Sequence, residues 1–190
     1  MTCEVPIEWA PGADVDRDLD GLAAVLHAAV HAGASVGFVL PFPMGEALAF
    51  WRNRVLPGVR SGSRRLWLVK AADRIVGTVQ LVLDTMPNQR HRAEVAKLLV
   101  HPDARRLGIG RALMQAAEDA ARADRRTLLT LDTRTGDSAE PLYRSMGYLT
   151  AGVIPGYAQH PSSPDEFEAT TVMYKLLSGT GTCSECARPN

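Results

Sequence analysis

Gly108 and Gly110 stand one residue apart, between an apolar run ending Leu98-Leu99-Val100 and a long alanine-rich segment, with Arg105, Arg106 and Arg111 around them. That combination could hold an anion. The first N–H groups of a helix have no partner within it and carry the positive end of its dipole. A phosphate or pyrophosphate placed there is stabilised, and glycine leaves the backbone open to close approach. The same residues would also serve as a plain connection from a loop into a helix. Other side chains could move protons: Glu94, His91, His101 and Asp132 as acceptors, Tyr143 as a donor. No metal centre is expected. Cys183-Ser-Glu-Cys186 has neither a second cysteine pair nor a nearby histidine, and Cys3 is far away in sequence.

The glycine spacing excludes two common nucleotide loops. A P-loop needs lysine and a hydroxyl after its last glycine, where this chain has Arg111-Ala112. A dinucleotide fingerprint needs a third glycine, where this chain has Leu113. What remains, Arg105-x-x-Gly108-x-Gly110-Arg111 after a strand, resembles the acetyl-CoA loop of the GNAT (Gcn5-related N-acetyltransferase) superfamily. Downstream, Leu142-Tyr143-x-x-x-Gly147-Tyr148 resembles the second signature of the same superfamily. The two motifs come in the family order and at about the family distance.

The resemblance implies acetyl-CoA as cofactor and transfer of its acetyl group to an amine. Backbone of Arg106, Leu107, Gly108, Ile109, Gly110 and Arg111, with Arg105 beside it, would hold the pyrophosphate. Leu98, Leu99 and Val100 would pair with the pantetheine arm as an added strand, in a slot that the family opens with a bulge. Tyr143 would be the general acid; its plainer role is an amphipathic core tyrosine. Many members carry an asparagine near residues 136–138, but this chain has Gly136-Asp137-Ser138, so only Ser138 is carried over as a cofactor contact. Glu94 would be the base, acting through water, or else a strand-end acid paired with Arg92 or Lys97. Asp132 could hold a substrate ammonium.

His31-Ala-Gly-Ala-Ser-Val-Gly-Phe38 joins the first two helices, where the family builds its acceptor pocket. Together with Arg92-Ala-Glu94-Val-x-Lys97-Leu and Leu131-Asp132-Thr, it is similar to the tabtoxin-resistance branch, which acetylates a small amino-acid-like β-lactam toxin. Ser35, Phe38, Trp51 and Glu94 would then line an acceptor site, with core packing the stronger reading for Trp51. His31 reads as a helix-end residue and not a catalyst.

These residues need elements to hold them. Ile109, Ala112, Leu113, Ala116, Ala117 and Ala120 recur at helical spacing, with Arg111, Gln115, Glu118, Asp119 and Arg122 on the opposite face. Helices are also predicted over Asp16–His31, Met44–Val59 and Ser138–Met146. Strands are predicted over Glu4–Ala10, Arg65–Ala71, Ile75–Leu83, Ala93–Val100, Thr127–Thr133, Tyr148–Ile154 and Ala169–Leu176. Ala72-Asp73-Arg74 reads as a turn, and Pro155 to Glu168 as a polar loop broken by three prolines. The order β-α-α-β-β-β-α-β-α-β-β predicts an α/β (α+β) fold: a mixed, mostly antiparallel central sheet with helices on both faces. A single domain is expected over residues 1–177, with a Gly/Ser/Thr-rich, disordered tail over 178–190.

Composition narrows the function classes. The 190 residues carry 21 basic and 21 acidic side chains, for a formal net charge of +0, which gives no electrostatic case for nucleic acid or an anionic membrane. No apolar run approaches the roughly 20 residues that span a bilayer, and the N-terminus lacks a basic-then-apolar leader. The expected protein is a cytoplasmic N-acetyltransferase of a small amine such as a toxin or antibiotic. A protein N-acetyltransferase and an acyl-CoA-binding sensor without turnover are the alternatives. Dimers are common in the superfamily, so the resemblance also carries a homodimer.

Overall fold

In the computed structural model, residues 7–9 and 15–177 are described, and among them seven strands form one sheet. The strands are β1 (Ile7–Trp9), β2 (Arg64–Ala71), β3 (Arg74–Val82), β4 (Arg92–Val100), β5 (Leu128–Arg134), β6 (Leu149–His160) and β7 (Ser163–Leu176). The α-helices are α1 (Leu19–His31), α2 (Met44–Phe50), α3 (Leu56–Ser61), α4 (Ile109–Ala123) and α5 (Glu140–Ser145). Strand order across the sheet is β1-β2-β3-β4-β5-β7-β6, and only the β4–β5 pair is parallel. That is the predicted mixed sheet. Cys3, Cys183, Cys186 and the tail from residue 178 lie outside the described residues.

Alternation along the strands creates two cores. On one face, Leu22, Val25, Leu26 and Val30 of α1 pack with Trp51, Val55 and Leu56 against Leu66, Leu68 and Leu99. On the other, Ile109, Leu113, Met114 and Ala117 of α4 pack against Trp67, Val79, Leu81, Val95, Leu129 and Met173. Each fully buried leucine or methionine is worth roughly 1.5–3 kcal/mol. The sheet is therefore clamped from both sides.

Four local features differ from the sequence reading. The helix predicted over Met44–Val59 is α2 and α3 joined by a π-helical turn at Trp51–Val55. Pro57, in the first turn of α3, lacks the N–H that a continuous α-helix would use there. The β2–β3 hairpin has a two-residue turn, with φ of 47° at Ala72 and 63° at Asp73, matching the strand twist. The predicted loop Pro155–Glu168 is mostly strand. β6 and β7 run to a short turn at Pro161-Ser162, and the pairing skips between Ile154 and Ala158, so Pro155 falls in a bulge of an edge strand. Finally, Glu118 is buried, not solvent-facing, because Lys175 of β7 (2.7 Å) and Arg122 (3.1 Å) bring it counter-charge.

Candidate active site

β4 begins as an ordinary partner of β5. Arg92, Ala93 and Glu94 pair with Leu128, Leu129 and Thr130, and there the parallel pairing stops. From Val95 onward β4 pairs only with β3, while β5 continues alone against β7. The cause lies in β4 itself. Gln80 faces Ala96 but Thr78 faces Leu99, so Lys97 and Leu98 together oppose Val79. Lys97 takes up the extra residue with φ of 50°, in the left-handed region. The bulge bends β4 away and leaves its backbone edge from Val95 to Val100 unpaired toward β5. Leu98, Leu99 and Val100 lie on that edge, and an extended chain could add to it by main-chain hydrogen bonds.

α4 starts where the split strand leads. His101 accepts from the Asp103 N–H at 3.3 Å and caps the short turn Pro102–Ala104. Arg106 (φ 67°) and Gly108 (φ 82°) then turn the chain through left-handed conformations into the helix. No side chain caps α4, so its first N–H groups remain open. Arg105, Arg106 and Leu107 are exposed around this start, and among the described residues neither arginine makes a side-chain hydrogen bond or ion pair. Arg111 donates to Ser145 Oγ at 2.6 Å and ties α4 to α5. Gly110 also has a packing role. A Cβ there would stand 3.2 Å from Leu142 Cδ2, so this glycine lets α5 pack against α4. These features fit a pyrophosphate joined to an extended arm.

Tyr143, on α5, is 6% exposed, with its ring centroid 5.9 Å from that of Tyr148. Burial chiefly, then the charges of Asp137 and Asp132, push its phenol well above the usual tyrosine value, so it stays protonated. Ser138 is exposed and bonds only to Asp137 Oδ1, at 3.3 Å, while Asp137 also accepts from the Ala139 N–H at 2.9 Å. Glu140 fixes the start of α5, accepting from Gly136 N–H at 2.9 Å and from Arg144 at 2.6 Å. The Gly136 bond first, then Arg144, hold its carboxyl below the ordinary 4.5. A carboxylate with a lowered folded pKa stabilises above its unfolded value and loses that contribution as pH falls through the folded one. Glu140→Gln should therefore be less stable than the parent at neutral pH. Denaturant midpoints should show the gap closing as pH drops below 4.5, and a pH-independent gap would refute the assignment.

The residues read as lining an acceptor site lie on the face of α1 and α2. Glu94 pairs across the sheet with Val82 and Thr130, which puts these residues on one face with Arg64, opposite Val82. Asp132 follows two residues along β5 on the same face and accepts from Thr170 Oγ1 at 3.2 Å. The alternative reading of Glu94, a pair with Arg92 or Lys97, is not found among the described residues: Arg92 donates to Gln89 at 2.8 Å and Lys97 to the Val36 carbonyl at 2.7 Å. The bulge explains the second case, because it turns Lys97 toward the segment between α1 and α2. Phe38 and Phe50 flank its ammonium, with Nζ 6.0 Å and 5.6 Å from their centroids. Sequence reasoning named Lys97 as a partner for Glu94 and within the Arg92-to-Leu98 motif, and gave it no role of its own. Its signal would have been a lysine set between Val95-Ala96 and Leu98-Leu99-Val100, in the apolar half of the strand.

Ser35 and Phe38 belong to a segment tied down at three points. Lys97 holds Val36, Arg134 donates to the Gly33 carbonyl at 3.2 Å, and the Leu40 N–H donates to the Pro161 carbonyl at 2.7 Å. Trp51 is fully buried in the core and does not line this side. His31 ends α1, bonded to the His27 carbonyl at 2.9 Å, and His91 lies outside the split before β4.

A sheet opened at its centre beside an uncapped helix start is the layout of an acyltransferase that takes its acyl group from an extended nucleotide thioester. The chain belongs to the acetyltransferase (GNAT) family, whose model matches residues 24–148. It is 34% identical over 128 residues to an uncharacterized N-acetyltransferase in the hisH-hisA intergenic region of Azospirillum brasilense, covering 65% of this chain and 73% of that one. Among solved structures, yncA of Salmonella typhimurium, a putative acetyltransferase with its cofactor acetyl-CoA, superposes with a TM-score of 0.72 at 18% identity, covering 97% of this chain and 100% of that one. A ribosomal-protein-alanine N-acetyltransferase of Brucella melitensis superposes with a TM-score of 0.69 at 22% identity, covering 91% and 100%. At these identities the superpositions establish the fold.

Proposed function

We propose that the protein is an acetyl-CoA-dependent N-acetyltransferase whose acceptor is a small-molecule amine. When bound, acetyl-CoA supplies an activated acetyl thioester. The open N–H groups at the start of α4, with Arg105 and Arg106, hold the pyrophosphate, and the free edge of β4 at Leu98 to Val100 aligns the arm. Glu94 takes the proton of the acceptor amine through water. Tyr143 keeps its own proton at neutral pH and gives it to the departing thiolate. Asp132 holds the acceptor as an ammonium before Glu94 relieves it of a proton.

The observation that carries a small acceptor is the three-point tethering of residues 33–40 to β4, β5 and the tip of the β6–β7 hairpin. Walls fixed in this way restrict what can reach Glu94 and Asp132. A toxin or antibiotic amine of the tabtoxin type is the small acceptor that the sequence resemblance would imply.

Thiol release in the presence of acetyl-CoA should be seen with small primary amines and not with peptides presenting a free N-terminus or lysine. Turnover on peptides at equal or higher kcat/KM would replace this reading with the protein-acceptor one. Tight binding of acetyl-CoA without turnover on either set would favour a sensor.

A further inference from the structure

Three ionisable side chains stand close together on the acceptor face without closing on one another. Glu94 and Asp132 are exposed, and Lys97 is half-buried between two phenylalanine rings. The acids are near enough to be felt: burial chiefly lowers the Lys97 pKa and Arg64 lowers it further, while Asp132 and Glu94 raise it. Yet among the described residues no carboxylate lies within ion-pair distance of Lys97 Nζ, whose one hydrogen bond goes to the Val36 carbonyl at 2.7 Å. A half-buried ammonium without a counter-ion is costly, and chains ordinarily close such pairs. Here the bulge turns Lys97 toward Val36 and keeps the pairs apart.

The neighbouring groups cannot supply the missing anion. Asp137 and Glu168 are both engaged by Arg134, at 3.0 Å and 3.1 Å. Arg64, the other cation of the cluster, donates to Gln80 Oε1. A Cβ added at Gly37 would stand 3.7 Å from Lys97 Nζ, so the residue beside the ammonium is one without a side chain. A lysine retains two further N–H donors after its bond to Val36.

We propose that Lys97 is a specificity residue that pairs with a carboxylate on the acceptor, so that the preferred substrate is a small zwitterion with its amine toward Glu94 and Asp132. The assignment rests on the small-amine reading above and deepens it. It also sets a preference against polyamines, which would bring only positive charge to a site already holding Lys97 and Arg64.

The test pairs each of several amino acids with its carboxamide and its decarboxylated amine as acceptors. The parent enzyme should favour the carboxylate-bearing member by about tenfold to a hundredfold in kcat/KM, the range of a charge-assisted hydrogen bond. Lys97→Met should bring that ratio down to about one, mainly through a higher KM for the amino acid. Lys97→Arg, which keeps the cation, should restore part of it, an effect that a merely structural role would not produce. Equal rates on all three members, or a ratio that survives in Lys97→Met, would overturn the role of Lys97 and leave the small-amine reading standing. If Lys97→Met does not fold, the parent ratio and Lys97→Arg still decide. Failure to acetylate any member, with acetyl-CoA bound, would overturn both readings.

Discussion

Tyr143→Phe should lower kcat by about a hundredfold, the low end of what a positioned general acid contributes. The affinity for acetyl-CoA, followed by calorimetry, should stay within about twofold, because loss of an interaction made only in the transition state leaves ground-state binding alone. The reasoning starts from burial. Tyr143 sits behind the opened edge of β4, and burial with the charges of Asp137 and Asp132 keeps its phenol protonated. A phenol held in that state carries a proton to give, but the same burial makes it a weaker acid, so its donation depends on its position beside the thiolate. Phenylalanine preserves the ring that packs beside Tyr148, so thermal stability should change little. An unchanged kcat would assign Tyr143 to packing alone.

Glu118→Ala carries the largest expected stability effect, a loss of about 3–5 kcal/mol in denaturant unfolding. Glu118 is 1% exposed, and its Oε2 accepts from Lys175 at 2.7 Å and Arg122 at 3.1 Å. Removing it strands the Lys175 ammonium beside the Tyr148 ring, 5.6 Å from its centroid, with little water to replace the lost anion. The cost is that of an uncompensated buried charge and not of the pair itself. The double variant Glu118→Leu with Lys175→Met should therefore recover most of the loss. Additive losses in the double variant would refute this account. The cluster also backs Tyr143, whose ring centroid stands 5.9 Å from that of Tyr148.

The sheet, the two motifs and the order of elements were legible because they depend on local patterns: alternation, helical spacing and glycine position. The central split was not, since a bulge at Lys97 follows from how β3 and β4 register and from nothing in Ala96-Lys97-Leu98. The missed β6–β7 pairing has a similar cause. Proline at 155, 161 and 164 argues for a loop unless the strand is known to lie at an edge, and edge position is a property of the whole sheet. Glu118 was misread because helical periodicity shows which residues share a face but not that β7 would bring a lysine to it. Likewise Glu94 and Asp132 could be named as acids, while the third charge beside them needed the bulge to be seen.

The split has a mechanical side. Only three residue pairs, Arg92–Leu128 to Glu94–Thr130, join β4 to β5, so the sheet is two plates hinged along a short seam. One plate carries β1 to β4 and the other β5 to β7. α4 packs on the first plate, beside Val79 and Leu81, and reaches the second through the ion pair of Glu118 with Lys175 at 2.7 Å. Anything that fills the gap with main-chain hydrogen bonds completes the ladder and stiffens the molecule across its weakest line. Its binding free energy then adds to the resistance to unfolding of the whole chain, so rigidity here is partly borrowed from the ligand.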